Sequence, residues 1–478
     1  GIAYAPWTFF EQYIGAEILE TNDRIEVQYG QTNAVFTLGE SNFTVNGQIY
    51  EMPAPLFSSH GTIYLPLVAL TEALGNSVGI FGQLVVISDQ EFLDALEADE
   101  ELVEAGIQIL SWQPIHREDI TDQDFEALKQ RARQYLVGSE NNDLSNEWIA
   151  NHISQIALMG QGSWSQMNKG DHAEILFGNV FPTTTAHMTS QYNQLSRMAL
   201  AYGTYGSELY QNEALKDDIL YGLEWLYENL YGPDEMEGRG WRSIHDFNWW
   251  DWMVGVPTHL NNILLIMEPV MEQADIEKYL DPYLHILEIM GPQRTVTSRN
   301  YYSTQAAILL HDVDLMISLL DDYDIMLASA EDGTGVREDW SYNHQFLPQS
   351  GTYGVSSLLD RAAVGYSLLS GSKFEVRSPY KYNLAMWMYY MFEPIMYKGG
   401  NMIMFGGRSF SRESNEQAMG SQVIAAMLDL IGAYGLDDDE RLKKIIKRHV
   451  TEENIHDVLG ALNISQLSKL QEVLEDSS

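Results

Sequence analysis

"DDILYGLEWLYENLYG", residues 217–232, decides the fold class. Ile219, Leu223, Leu226 and Leu230 recur at steps of four, three and four, which lines them up along one stripe of an α-helix. Gly232 follows directly, where a helix is expected to stop. The same period returns in "QEFLDALEADEELVEAGIQIL" (90–110), "HLNNILLIMEPVMEQ" (259–273) and "IEKYLDPYLHILEIMG" (276–291). It continues through "STQAAILLHDVDLMISLLDDY" (303–323), "LAMWMYYMFEPIMY" (384–397) and "SQVIAAMLDLIGAYG" (421–435). Helices joined by short Gly-, Pro- or Asp-rich turns predict a mainly α array of stacked hairpins, an α/α toroid. No strict repeat of fixed period is present, which argues against TPR or HEAT solenoids.

The N-terminal part obeys a different period. "RIEVQYG", "AVFTLG", "NFTVNGQIYEM", "GTIYLPL" and "QLVVISD", between residues 24 and 89, alternate apolar and polar side chains around Asn-Gly and Gly turns. One short amphipathic helix, "LVALTEALG" (67–75), interrupts them and ends on Gly75. Three regions are expected: a small β-rich domain over 1–92, a helical domain over 93–460, and a helical lead-in over 461–478.

Composition narrows the function. The chain has 478 residues, 45% of them hydrophobic, ample for a packed core. No apolar run reaches the eighteen or so residues of a membrane span. Cysteine is absent, which excludes disulfides, thiolate catalysis and thiolate metal sites, and fits a secreted or cell-surface bacterial protein. Against 68 Asp and Glu stand 27 Lys and Arg, a formal charge of −41 that repels nucleic acid and anionic membranes. A site for an anionic substrate must therefore concentrate the scarce arginines. No HExxH, P-loop, EF-hand or GxSxG sequence occurs, and no histidine pair has metal-ligand spacing, so neither metal nor cofactor is expected.

Four stretches carry chemistry. "HDFNWWDWMVGVP" (245–257) packs tryptophans beside Asn248, and flat aromatic faces are what sugar rings stack on; the plain alternative is a buried helix start. "TSRNYYST" (297–304) sets Asn300 between Arg299 and two tyrosines ahead of an apolar helix, where it reads equally as a helix cap. "MFGGRSFSR" (404–412) spaces Arg408 and Arg412 four apart, able to share one face or to pair with surface carboxylates. "SYNHQFLPQSGTYG" (341–354) holds His344 and Tyr353 nine residues apart. On one helix those side chains would point to opposite faces. Pro348 and Gly351 argue instead for a loop that turns both toward one substrate.

This set suits β-elimination on a uronic-acid glycan. The C5 proton beside the sugar carboxylate must be removed while that carboxylate is neutralised by an amide such as asparagine, aided by arginine. A tyrosine, free pKa about 10, can serve as base where nearby cations favour its phenolate, and then protonate the leaving oxygen.

The blocks "NWWDWMVGVP", "TSRNYYST", "DWSYNHQFLPQSGTYG" and "GGRSFSR", in this order over roughly residues 100–460, resemble polysaccharide lyase family 8, which includes hyaluronate, chondroitin AC and xanthan lyases. The resemblance implies an incomplete α/α toroid followed by antiparallel β-sheet domains, which are expected to be absent from this chain. It implies elimination giving a 4,5-unsaturated uronate from an anionic polysaccharide, with a glycosaminoglycan-like substrate favoured over xanthan. Carried over by position, Asn300 neutralises the carboxylate, Tyr353 is base and acid, and His344 assists. Arg408 and Arg412 hold the substrate, and Asn248, Trp249 and Trp250 form an aromatic patch, with Arg299 added beside the key amide. Three positions depart from the family pattern: Gly406 replaces an arginine, "TSRN" replaces Thr-Gly-Ala-Asn, and Asp339-Trp340-Ser341 replaces Asp-Gly-Ser with one residue fewer before His344. "TVNGQIYEMPAPLFSSHGTIYLPLVALTEALGNSV" resembles the copper amine oxidase N-terminal-like domain, and implies attachment or spacing rather than a copper site. Two rivals stand beside the lyase: a toroidal glycoside hydrolase pairing Asp251 with Glu338 or Asp339, and a glycan-binding surface protein without turnover.

Overall fold

The computed structural model describes residues 4–6, 10, 16–21, 24–52, 57–59, 62–81, 84–88, 93, 115, 117–170, 174–178, 184–232, 248–290, 297–328, 330, 333–344, 347–348, 350–376, 382–407, 415–434, 436–451 and 458–476. The helix expected over 90–110 lies outside them except for Leu93, which is buried. The chain divides into two compact units, Gly1–Gln113 and Pro114–Ser478.

In the first unit, strands β1 (Tyr4–Pro6) to β10 (Leu84–Ser88) are all paired antiparallel. β2 (Glu17–Glu20), β3 (Arg24–Tyr29), β4 (Thr32–Thr37), β5 (Asn42–Val45) and β6 (Gln48–Glu51) form a five-stranded meander. Ile25, Val27, Ala34, Phe36, Phe43 and Val45 take its buried face, so the alternation read from sequence is the one that packs. Phe36 and Phe43, opposite each other in the ladder, stack at 4.6 Å. Asn46 and Gly47, at φ 49° and 84°, make the Asn-Gly turn joining β5 to β6. The short helix α1 spans Leu67–Ala73.

The second unit is helical. Its helices are α2 (Asp122–Val137), α3 (Glu147–Ser165), α4 (Thr185–Gly203), α5 (Glu213–Asn229), α6 (Val256–Met267), α7 (Gln273–Met290) and α8 (Thr297–Leu310). They continue as α9 (Val313–Leu327), α10 (Asp360–Leu369), α11 (Asn383–Trp387), α12 (Asn415–Leu430), α13 (Leu436–Thr451) and α14 (Ile464–Glu475). Every second helix packs on the next but one: α4 on α6, α6 on α8, α8 on α10, α10 on α12, α12 on α14, and α14 on α2. Helices α3, α5, α7, α9 and α13 pack against their even-numbered neighbours, giving the two layers of an incomplete α/α toroid. The inner position explains α6, whose sequence "VPTHLNNILLIM" is buried almost throughout. Helix α14, opened by a capping box between Asn463 and Gln466, packs against α2 and α3 and so is part of this layer structure.

Candidate active site

Among the described residues three stretches of the toroid, Asp251–Gly255, Ser350–Leu359 and Met388–Phe392, are wound as π-helix. Such widened turns are rare and gather at functional sites. The first two fall in blocks singled out from sequence.

The stretch 341–354 is neither one helix nor a loop. Tyr342–His344 (β12) pairs antiparallel with Gly335–Val336 (β11) and with Leu347–Pro348 (β13), and the π-helix begins at Ser350. Pro348 ends the ladder just before the helix, where its missing N–H costs no bond. Gly351 does not break the helix because its bare Cα is needed: a Cβ there would lie 2.3 Å from the Phe405 carbonyl oxygen. The strand-to-helix turn brings His344 and Tyr353 face to face, ring centroids 3.9 Å apart and planes 13° from parallel. Tyr342 lies buried beneath, its N–H donating to Ser350 Oγ at 3.1 Å, and Gly354 packs on its side chain. Burial pushes the Tyr342 phenol up, and the neighbouring Tyr353 phenol adds to the shift.

Asn300 is the fourth residue of α8 and only 7% exposed. The cap reading therefore fails: the helix starts three residues earlier, at Thr297, and the Asn300 carbonyl accepts from Thr304 Oγ1 at 2.7 Å. Helix α8 packs against both the π-turn Asp251–Gly255 and the π-helix of Tyr353, so three of the four blocks meet on it. Arg299 lies on its first turn, and the Arg299 side chain is outside the described residues. Arg408 and Arg412 are outside them as well; of their block, Phe405 reaches Gly351, and the turn Ile403–Phe405 lies against the π-helix of Tyr353.

The aromatic block splits in two. Trp252 is fully buried and stacks on Tyr231 at 5.4 Å, as a core reading requires. Trp249 and Trp250 are each 43% exposed, beside the exposed Asn248, whose side-chain oxygen accepts from the Trp250 N–H. Gly255 makes room for the Trp250 ring, which would stand 2.9 Å from a Cβ there. Asp251 points inward at 2% exposure and accepts from Thr185 Oγ1 (2.6 Å) and Thr189 Oγ1 (2.7 Å) of α4. Both oxygens are thus occupied in tying the tryptophan turn to the inner layer.

Sequence reading marked no role for Arg361 of α10, whose guanidinium stands 4.9 Å over the ring of Tyr302, two residues beyond Asn300. An isolated arginine in an ordinary helical period gives no local signal. Among the described residues no group of three or more His, Asp or Glu is placed to hold a metal ion. None of the described helices is long and apolar enough to cross a membrane.

The two-layer helical array, with an imidazole–phenol pair where a π-helix packs on its inner layer, defines the class, an α/α-toroid domain. The chain belongs to polysaccharide lyase family 8: residues 132–448 match the family's N terminal alpha-helical domain. Residues 1–87 match the copper amine oxidase N-terminal domain. Relatives include a xanthan lyase of Bacillus sp. (strain GL1), 29% identical over 385 residues, covering 77% of this chain and 39% of the relative. A hyaluronate lyase of Staphylococcus aureus is 26% identical over 326 residues, covering 62% and 40%. Among solved structures, Paenibacillus xanthan lyase matches with a TM-score of 0.66 at 26% identity, over 74% of this chain and 34% of that one. Streptomyces coelicolor chondroitin AC lyase in complex with chondroitin sulphate shares the fold, with a TM-score of 0.67 at 22% identity over 74% and 49%. The chain spans about two fifths of the length of the curated relatives it matches.

Proposed function

We propose that this chain carries the helical part of a polysaccharide lyase that cleaves a uronate-containing glycan by β-elimination, without metal or cofactor. The observation that carries the proposal is the 3.9 Å stack of His344 on Tyr353, on a π-helix packed against the helix of Asn300. Tyr353 takes the C5 proton and returns one to the leaving oxygen. Burial pushes the adjacent Tyr342 phenol up, so that phenol is not the one assigned to exchange a proton. His344, face to face with the phenol, holds its ring in place. The Asn300 amide, in a nearly water-free position on α8, neutralises the sugar carboxylate, where a hydrogen bond to developing charge counts most. Arg408 and Arg412, with Arg299, bind the anionic chain, and Asn248, Trp249 and Trp250 stack and orient its sugars. Secretion, with attachment or spacing by the N-terminal unit, belongs to the same reading.

Two observations weigh against the hydrolase. A retaining or inverting glycosidase needs one carboxyl held protonated and accessible. Asp251 is buried with both oxygens accepting from threonines, and Asp339 is held below the usual carboxylate range, first by its side-chain bond with Ser341 and then by the Ser341 backbone. The test is ultraviolet absorbance of unsaturated product on incubation with hyaluronan, chondroitin sulfates, heparan sulfate, alginate and xanthan. Absorbance growth with at least one, abolished in Tyr353→Phe, is expected. Reducing ends appearing without absorbance would establish hydrolysis instead.

A further inference from the structure

The third π-helical stretch, Met388–Phe392, belongs to none of the blocks read from sequence. Met388, Tyr389, Met391 and Phe392 are buried, but Tyr390 turns outward at 53% exposure. Its ring stacks on Trp340, centroids 5.5 Å apart and planes 22° from parallel. Trp340 itself sits at φ 66°, left-handed backbone that a bulky residue rarely adopts and glycine adopts freely. It occupies the turn between β11 and β12, closed by the Trp340 N–H donating to the Arg337 carbonyl and the Arg337 N–H donating to the Ser341 carbonyl. A strained backbone that holds a large, partly buried aromatic ring against an exposed tyrosine points to a use for the pair. The third member is Arg441 of α13, an exposed residue whose guanidinium stands 3.6 Å over the Tyr389 ring and 6.0 Å from that of Tyr390. In a chain with 27 cations against 68 anions, a cation beside paired aromatic rings is a scarce resource.

We propose that Trp340 and Tyr390, with Arg441 at their edge, form a second sugar-binding subsite that seats one ring of an acidic glycan away from the bond being broken. The position is bounded by the chain: Trp340, in the turn that leads into Tyr342–His344, precedes His344 by four residues, so the two backbones stand at most roughly 13 Å apart, within two to three sugar units. The aromatic faces take the apolar C–H face of the sugar, and the guanidinium takes a carboxylate or sulfate of the same or the next ring. The subsite lengthens the stretch of chain the protein grips and is not needed for the chemical step.

The subsite rests on the lyase reading for its substrate, and the experiment separates the two. Wild type, Trp340→Gly, Tyr390→Ala and Arg441→Gln are compared on long chains and on the shortest oligosaccharide cleaved, following unsaturated product, with glycan affinity electrophoresis alongside. Glycine suits the left-handed backbone at 340, so Trp340→Gly removes the ring without straining the turn. The expected result is a KM on long chains raised roughly 3- to 10-fold in the first two variants, the equivalent of one aromatic stack, with kcat unchanged. On the shortest oligosaccharide KM is unchanged, and Arg441→Gln weakens binding chiefly at low salt. A wild type that cleaves, with all three variants keeping its KM, overturns the subsite and leaves the lyase reading standing. A wild type that binds glycan without cleaving it overturns the lyase reading; loss of retardation in Trp340→Gly then supports the subsite and unchanged retardation overturns it. Absence of any glycan binding overturns both.

Discussion

Gly351→Ala tests the geometry of the site without removing any group that touches substrate. The added Cβ would stand 2.3 Å from the Phe405 carbonyl oxygen and 2.7 Å from its carbonyl carbon. An ordinary carbon–oxygen contact is about 3.3 Å, so the two backbones must part by roughly 1 Å. Both sides are main chain, and no rotamer change can absorb the clash. Residue 351 is in the first turn of the π-helix, two positions before Tyr353, so the displacement passes directly to the phenol and to the segment leading to Arg408. Overpacking of this kind costs about 1–3 kcal/mol of stability. A misplacement of about 1 Å lowers turnover by roughly 100-fold. The assays are denaturant unfolding and initial rates of unsaturated-product formation. Gly162→Ala in α3 is the control: a Cβ there meets nothing within 4 Å, and alanine stabilises a helix interior by about 0.5–1 kcal/mol. Gly351→Ala behaving like Gly162→Ala in both assays would refute the argument that this close approach sets the phenol.

Tyr353→Phe keeps the ring that stacks on His344 and removes only the hydroxyl, so turnover should fall by about 100- to 10,000-fold with little change in the melting temperature; Asn300→Ala should also lose turnover by orders of magnitude, both read as kcat from product absorbance. Asp251→Asn loses an acceptor for one of the two threonine hydroxyls, and should destabilise by about 1–3 kcal/mol and raise KM as the Trp249–Trp250 turn loosens; an unchanged KM and melting temperature would show the tie to be idle. His259 is held down to about 4, by burial first and then by Arg197. Its unfolded pKa is about 6.5, so the unfolded chain binds the extra proton and stability is lost as pH falls from about 6.5 to about 4, by up to about 3 kcal/mol. His259→Gln should flatten that slope in urea unfolding at pH 7 and pH 4.5.

The change of hydrophobic period from two to three and four, and the four blocks, were legible in the sequence alone. Hydrophobic period and turn residues are local properties: "DDILYGLEWLYENLYG" is an amphipathic helix wherever it is placed, and Asn46-Gly47 makes its tight turn from backbone freedom alone. Packing decided which of these residues meet. Nothing local separates Trp252, sunk against Tyr231, from Trp249 and Trp250, which stay at the surface; the helices arriving around the turn make the distinction. Asp251 reads as a catalytic carboxylate until Thr185 and Thr189 are brought to it from α4. His344 and Tyr353 looked like a loop pair because Pro348 and Gly351 are helix breakers on average, yet Gly351 is required by the Phe405 backbone that packs on it. The stack of Trp340 on Tyr390 had no signature at all, because contact between residues far apart in the chain is a property of packing, and packing is settled by the whole toroid.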